Sequence, residues 1–449
     1  MNNSSFLTLP ERLLQLNAMP FRLNGKWVVY RMQASVRLID NLAFSEACRL
    51  SRETGKPLKV VFHLDPDFPD ANYRHFLFLA DGLREVARQL GERNIPFELL
   101  AGDFAQTIGV VAADAVCVIT DRGYLRHQRR QLLQLAATVS CALIAVEDNL
   151  IVPVESASHK AEWGARTLRP KLSAKYSYFA TRSQFRVPDP VTLSGSAVTA
   201  DTQLLDRILQ EVRMRHYESS VDMRGGEKEA LRLLADFTAV KLADYATARN
   251  HPELLATSRL SSYLHFGMIS PLTVCEAVAS RPESVPFVEQ LFVRRELAFN
   301  FIYYTSGYDT YDALPVWARN TLRYHASDPR PFVYSPSELI QAATHDPCWN
   351  AAMRQMVTTG FMENTMRMYW GKKIIEWSRT PEEAFATILS LNNRYFLDGR
   401  DANSYAGAGW CFGLHDRPWQ ERPVFGMVRY MNENGLRRKY DMDKYISLF

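Results

Sequence analysis

Two runs, Arg367-Met-Tyr-Trp-Gly-Lys-Lys-Ile-Ile-Glu-Trp377 and Leu391-Asn-Asn-Arg-Tyr-Phe-Leu-Asp-Gly-Arg-Asp401, decide how the chain is read. Trp370 and Trp377 are seven residues apart, two turns of an α-helix, so both indoles leave the same helix face. Ser378, Arg379 and Thr380 interrupt this helix. Thr380-Pro381-Glu382-Glu383 then offers an N-cap, a proline at the first helical position and a capping-box glutamate. A second helix is predicted from about Pro381 to Leu391, delivering Asn392 to a loop that carries Asn393, Arg394, Asp398, Arg400 and Asp401. One tryptophan here reads as an ordinary core residue. Three of them, with Trp349 upstream, beside charge that packing does not need, suggest a bound cofactor.

Working outward, helical periodicity dominates from Glu227, as in Ala230, Leu231, Leu234, Phe237 and Leu242, so residues 226–449 are expected to form an all-α domain. Residues 26–180 alternate short apolar runs with helical patterns. The runs are Trp27–Tyr30, Leu58–His63, Phe97–Leu100, Ala115–Ile119 and Ala142–Val146. That alternation predicts an α/β domain built on a doubly wound parallel sheet. No G-x-G-x-x-G follows its first strand, so a dinucleotide is expected to bind elsewhere. Residues 181–225, with Pro188, Pro190, Ser194, Gly195 and Ser196, read as an interdomain linker.

At 449 residues, 47% of them hydrophobic, the chain has material for two or three domains. A net charge of +4 confines any nucleic-acid site to a local basic surface. The six cysteines are scattered with no C-x-x-C pair, which argues for a reducing compartment, no disulfide framework and no iron–sulfur cluster. No secretory leader and no spanning apolar run is seen, so a cytoplasmic location is expected. The basic group Arg122, Arg126, His127, Arg129 and Arg130 reads as a solvated helix face. His63, Asp65 and Asp67 read as turn chemistry after a strand, and no metal is proposed.

The two opening runs, together with His415-Asp-Arg-Pro-Trp419, Ser262-Tyr-Leu-His-Phe-Gly267 and Arg294-Arg-Glu-Leu-Ala298, resemble the signatures of class II cyclobutane pyrimidine dimer photolyases, within the photolyase/cryptochrome family. The resemblance runs over essentially the whole chain. It implies a helical FAD-binding domain, an antenna domain that holds a chromophore such as a deazaflavin, and light-driven repair of UV-damaged DNA by a monomer without an obligate protein partner. By motif position, Tyr245, Thr257, Ser258, Leu260, Ser261, Leu264, Asn300, Arg367, Asn392, Asp398, Gly399 and Arg400 would meet the flavin. Asn392 would face the flavin N5 and stabilise its reduced form, and Arg367 and Asp398 would pair. Trp370, Trp349 and Trp377 would carry electrons from the surface.

On the substrate side, the resemblance implies that Glu296 hydrogen-bonds a base of the flipped dimer, with Arg249 and Asn250 near the lesion pocket. Trp410 and Trp419 would frame the dimer, Asp416 and Arg417 would fill the gap in the duplex, and Arg429 would meet the backbone. The chain departs from the family pattern at Ser35, Phe299, Phe361 and Glu363, and its 413–419 loop is one residue shorter. Two rival readings share the cofactor: a cryptochrome-like photoreceptor, and a photolyase for another photoproduct. A flavin-free helical DNA-binding protein is the rival of a different class.

Overall fold

The computed structural model describes residues 8–180, 189–192, 202–215 and 221–449. Each of the five expected apolar runs is a strand: β2 (Trp27–Met32), β3 (Leu58–Leu64), β4 (Phe97–Ala101), β5 (Ala115–Asp121) and β6 (Ala142–Val146). They pair in parallel, and a short strand β1 (Leu13–Gln15) adds antiparallel to β6, giving the order β1-β6-β5-β2-β3-β4. β1 was not foreseen, because three residues carry no alternation to read. Its position is fixed by the buried Arg12, whose guanidinium donates to the carbonyls of Leu150 at 3.0 Å and Ile151 at 2.6 Å. The sheet is doubly wound: from β2 the chain runs to β3 and β4 on one side, and β5 and β6 lie on the other. The crevice beyond the carboxyl ends of β2 and β5 is thus a topological switch point.

From Glu227 onward the described residues form helices and turns without a strand, as the periodicity predicted. The stretch expected as linker is described only in part. Much of 181–225, including Pro188, Ser194, Gly195 and Ser196, lies outside the described residues. Within it, however, Gln203–Arg215 is a helix burying Leu205, Ile208, Leu209 and Val212 at helical spacing. It joins the helix Tyr73–Glu92, with Arg84 pairing to Asp206 at 2.7 Å.

Thr380 caps the second predicted helix, its hydroxyl accepting from Glu383 N at 3.1 Å with Pro381 at the first position. This helix, Pro381–Tyr395, runs a turn further than predicted, so Asn392, Asn393 and Arg394 sit in its last turn and not in a loop. The α/β half finishes it. Asn72 Nδ2 donates to Arg394 O at 2.6 Å, Arg74 to Tyr395 O at 3.0 Å and His75 Nε2 to Phe396 O at 3.0 Å. Carbonyls that a helix end leaves without intrahelical donors are satisfied across the interface. Asn392 is fixed as a consequence.

Candidate active site

Two contiguous cavities open among the helices. The first, about 770 Å³, is lined by Tyr245, Ser258, Leu260, Ser261 and Leu264, with Asp398 opposite. The second, about 1360 Å³, is lined by Arg249, Trp370, Asn392, Trp410 and His415. Gln290, Arg367, Asn403 and Ser404 line both and form their junction.

Arg367 Nη2 lies 3.0 Å from each carboxylate oxygen of Asp398, and its guanidinium stacks on Phe396 at 3.9 Å from the ring centroid. The expected ion pair is therefore present at the junction. Asn392 is buried, and its Nδ2 donates to Asn393 Oδ1 at 3.1 Å. Asn393 in turn accepts from Arg400 N at 3.0 Å and donates to Asp70 at 3.2 Å, which fixes the turn after the helix. Gly399 serves this turn as backbone: a Cβ there would meet Asn392 O at 2.8 Å and Phe396 O at 2.9 Å.

Behind the second cavity stand the three indoles, all buried. Trp370 lines the cavity, and its carbonyl accepts the Trp349 indole N–H at 3.1 Å. The Trp349 and Trp377 rings follow at 5.4 Å. Trp377, the indole farthest from the cavity in this series, is 2% exposed. At the mouth, Arg429 lies over Trp419 at 4.5 Å and near Trp410 at 5.7 Å, while Arg417 lies over Trp419 at 5.5 Å. Trp419 Nε1 donates to Asp416 at 3.2 Å. The 413–419 loop, although short, thus keeps its aromatic and basic groups together.

Several expected residues lie elsewhere. Glu296 is buried away from both cavities and accepts the backbone N–H groups of Ile151 at 2.6 Å and Val152 at 3.3 Å. It ties the α/β half to the helical half. Burial pushes its carboxyl up to about 8 against the pull of those amides and Arg295. Asn300 does similar work, accepting from Glu162 N at 2.8 Å and donating to Lys160 O at 3.0 Å. The Thr257 hydroxyl binds Glu363 at 3.1 Å and does not line the first cavity. Asn250 accepts the Thr365 hydroxyl on its carbonyl at 2.8 Å, behind the second cavity wall.

Arg400 reaches the other way, into a third cavity of about 920 Å³ in the α/β half at the switch point. Arg31, Gln33, His63, His75 and His127 share that cavity. Burial holds His127 down near 4 and His75 well below its ordinary value, so both are neutral at pH 7. Burial lowers Arg31 and Arg400 only to about 10, so both remain cations. Arg37 and Asn41 do not line this cavity: Arg37 pairs with Asp148 at 2.7 Å, and Asn41 caps the helix Leu42–Thr54. Of the basic cluster, Arg122 pairs with Glu155 and Arg126 with Asp309, so it joins elements and is not simply solvated. Among the described residues no group of side chains could hold a metal ion.

The residues suit a large polar ligand. The Ser261 hydroxyl and the Trp370 indole N–H, both at cavity walls, are buried without a hydrogen-bond partner among the described residues. Native structures seldom leave such groups unpaired. A ligand with acceptor oxygens in the first cavity and a ring bearing acceptor atoms against Trp370 and Asn392 would satisfy both, which is the chemistry of a folded FAD.

Comparison with known proteins agrees. Residues 28–189 match the family model for DNA photolyase. A deoxyribodipyrimidine photo-lyase of Methanothermobacter thermautotrophicus is 43% identical over 436 residues, covering 97% of each chain. That of Potorous tridactylus is 39% identical over 93% of this chain and 80% of its own. A photolyase structure from Sulfolobus tokodaii, with two FAD molecules, superimposes with TM-score 0.70 at 18% identity over 94% of this chain and 90% of that one. A Synechocystis cryptochrome gives the same TM-score at 17% identity over 93% of this chain and 87% of that one. With relatives of this identity along nearly its whole length, the chain belongs to the DNA photolyase family.

Proposed function

We propose that the protein is a class II deoxyribodipyrimidine photolyase, which uses light and reduced FAD to split cyclobutane pyrimidine dimers in UV-damaged DNA. The observation that carries the reading is the pair of joined cavities. One is lined by small hydroxyls and a partly buried ion pair, and the other is backed by an indole relay and rimmed by Trp410, Trp419 and arginines. The names of the full-length relatives support the substrate.

Reduced FAD, when bound, supplies the light-excited electron donor. The chain's own groups do the rest. Ser258, Ser261 and Tyr245 hold the first cavity's occupant, and Arg367 with Asp398 fixes the junction. Asn392 presents an amide that both donates and accepts as a neighbouring ring nitrogen changes protonation. Trp410 offers a flat face to an everted base, and Arg249 offers positive charge beside it. Arg417 and Arg429 meet phosphates, which position the protein without reading sequence. Trp377, Trp349 and Trp370 relay electrons inward. The third cavity, with two buried cations and neutral imidazoles, suits an anionic or strongly polar ring system as antenna. In the domain reading that goes with this function, residues 26–180 carry the antenna site and 226–449 the flavin and lesion sites. No helix among the described residues is long and apolar enough to cross a membrane. The protein acts as an intracellular monomer on one duplex.

The test is blue-light illumination of the reduced protein with an oligonucleotide carrying one thymine dimer, against a dark control. Light-dependent recovery of intact thymines is expected. A flavin that photoreduces without splitting dimers points instead to a photoreceptor or another lesion.

A further inference from the structure

Like the Ser261 hydroxyl and the Trp370 indole, Nε2 of His415 is buried without a hydrogen-bond partner among the described residues. His415 lines the second cavity together with Trp410. Its other ring nitrogen is committed, for Nδ1 lies 2.8 Å from Trp163 O. A carbonyl only accepts, so Nδ1 carries the proton and Nε2 of the neutral ring is an acceptor. Burial is the main influence on this imidazole and lowers it below its ordinary value, with Arg294 acting in the same sense and the Trp163 carbonyl against it. The neutral ring is therefore the form present at pH 7 and above.

Both ends of this arrangement are held. Gly413 N donates to Trp410 O at 3.2 Å and Leu414 N to Gly409 O at 3.0 Å, which ties the turn bearing His415 to the helix bearing Trp410. Trp163 follows Glu162, whose N–H donates to Asn300 Oδ1 at 2.8 Å and whose carboxylate accepts the Ser158 hydroxyl at 2.6 Å. His415 itself lies in the left-handed region, at φ 58°. Residues other than glycine persist there where their surroundings over-determine them, and they gather at ligand sites.

A buried acceptor without a partner calls for a donor. Within a DNA strand the phosphate and deoxyribose oxygens only accept, and the N–H donors belong to the bases. Resting on the photolyase reading, we propose that His415 Nε2 accepts the imide N3–H of one pyrimidine of the everted dimer, with the Trp163 carbonyl fixing the tautomer that does so. Trp410 lines the same cavity, so one residue offers a face to the lesion and the other reads an edge.

The experiment compares wild type, His415→Leu and His415→Gln at pH 8, each checked for bound flavin by absorbance. The leucine removes the acceptor, and the glutamine returns an oxygen to about the place of Nε2. Duplexes carry no lesion, a thymine dimer, or the same dimer methylated on N3 of either thymine in turn, and dissociation constants are measured in the dark. Wild type is expected to lose about tenfold when one of the two N3 positions is methylated, one hydrogen bond being worth about that factor. His415→Leu should bind the unmethylated dimer about tenfold more weakly and show no further loss from that methyl group, while His415→Gln recovers most of the affinity. Undamaged duplex should bind all three alike. Should His415→Leu fail to load flavin, His415→Phe, which keeps a ring beside Phe301, takes its place. A wild type indifferent to both methyl groups overturns the assignment without recourse to a variant. So does a His415→Leu protein that binds as wild type does or stays as sensitive to the methyl group. An equal loss on damaged and undamaged duplexes overturns it in favour of a phosphate contact. A wild type that neither prefers the dimer nor splits it under light removes the photolyase reading, and this assignment with it.

Discussion

The Trp349 indole N–H donates to the backbone carbonyl of Trp370 at 3.1 Å, while its ring lies 5.4 Å from that of Trp377. This one side chain bridges the indole at the cavity and the indole behind it. Trp349→Phe keeps an aromatic ring but removes the readily oxidised indole and the hydrogen bond. Photoreduction of the oxidised protein, followed by flavin absorbance with an external thiol donor, is expected to slow about tenfold or more, a change of about 1.4 kcal/mol in barrier. Dimer splitting by protein reduced chemically beforehand should be unchanged within about twofold, which a general packing defect would not allow.

Glu296 gives a prediction of stability and not of activity. Its folded-state value of about 8 lies above the ordinary 4.5, with burial as the main cause. The contribution of such a group is fully present below the unfolded value and is lost as pH rises through the folded one. The contribution of this group to stability should therefore fall between about pH 4.5 and pH 8, with a limiting slope of about 1.4 kcal/mol per pH unit per proton. Glu147 and Glu363, raised by burial to about 7, act in the same sense. Glu296→Gln is expected to flatten part of this slope in urea titrations at several pH values and to leave lesion affinity unchanged. A large loss of lesion affinity in a folded, flavin-loaded Glu296→Gln would return the residue to the substrate.

Asp398→Asn tests the pair at the cavity junction. It leaves the Arg367 guanidinium, itself about one-fifth exposed, without its anion. Removing one partner of a buried ion pair costs about 3 to 5 kcal/mol. Because Arg367 keeps Met362 O at 3.0 Å and the Phe396 face, about 2 kcal/mol is the more suitable expectation here. Urea denaturation of the flavin-free protein measures this cost, and flavin titration of the same sample should show weaker binding.

Much of the fold was readable because its signals are local. The five parallel strands are runs of β-branched and apolar residues, and Thr380-Pro381-Glu382-Glu383 announces its helix. β1 escaped because Leu13–Gln15 owes its place to Arg12, a tertiary contact. Helix Gln203–Arg215 escaped because the proline- and serine-rich residues before it read as linker. At the site, Tyr245, Ser258, Arg367 and Asn392 followed from motif order, and the structure brings them to the cavities. Glu296 and Gln290 could not be sorted that way. Both lie in one apolar helical run, and the π-turn shifts the register between them, so which one meets the cavity depends on a backbone feature with no residue signature. Arg400 failed for a related reason. Its backbone is in the left-handed region, at φ 64°, which sends its side chain to the α/β cavity.

Arg429 permits a test of how the mouth meets DNA. Its guanidinium lies 4.5 Å from the Trp419 centroid, in a loop where Asp416 is the nearby anion holding the indole N–H. If Arg429 neutralises one phosphate, Arg429→Gln should weaken binding to damaged and undamaged duplexes by a similar factor. The slope of log affinity against log salt should fall by about 1. The preference for damaged over undamaged DNA should survive, because positioning contacts carry no lesion information. Anisotropy titrations at four salt concentrations distinguish this from a role at the lesion. An unchanged salt slope with a lost lesion preference would move Arg429 from the phosphates to the dimer, where its position between Trp410 and Trp419 would make it part of the pocket wall.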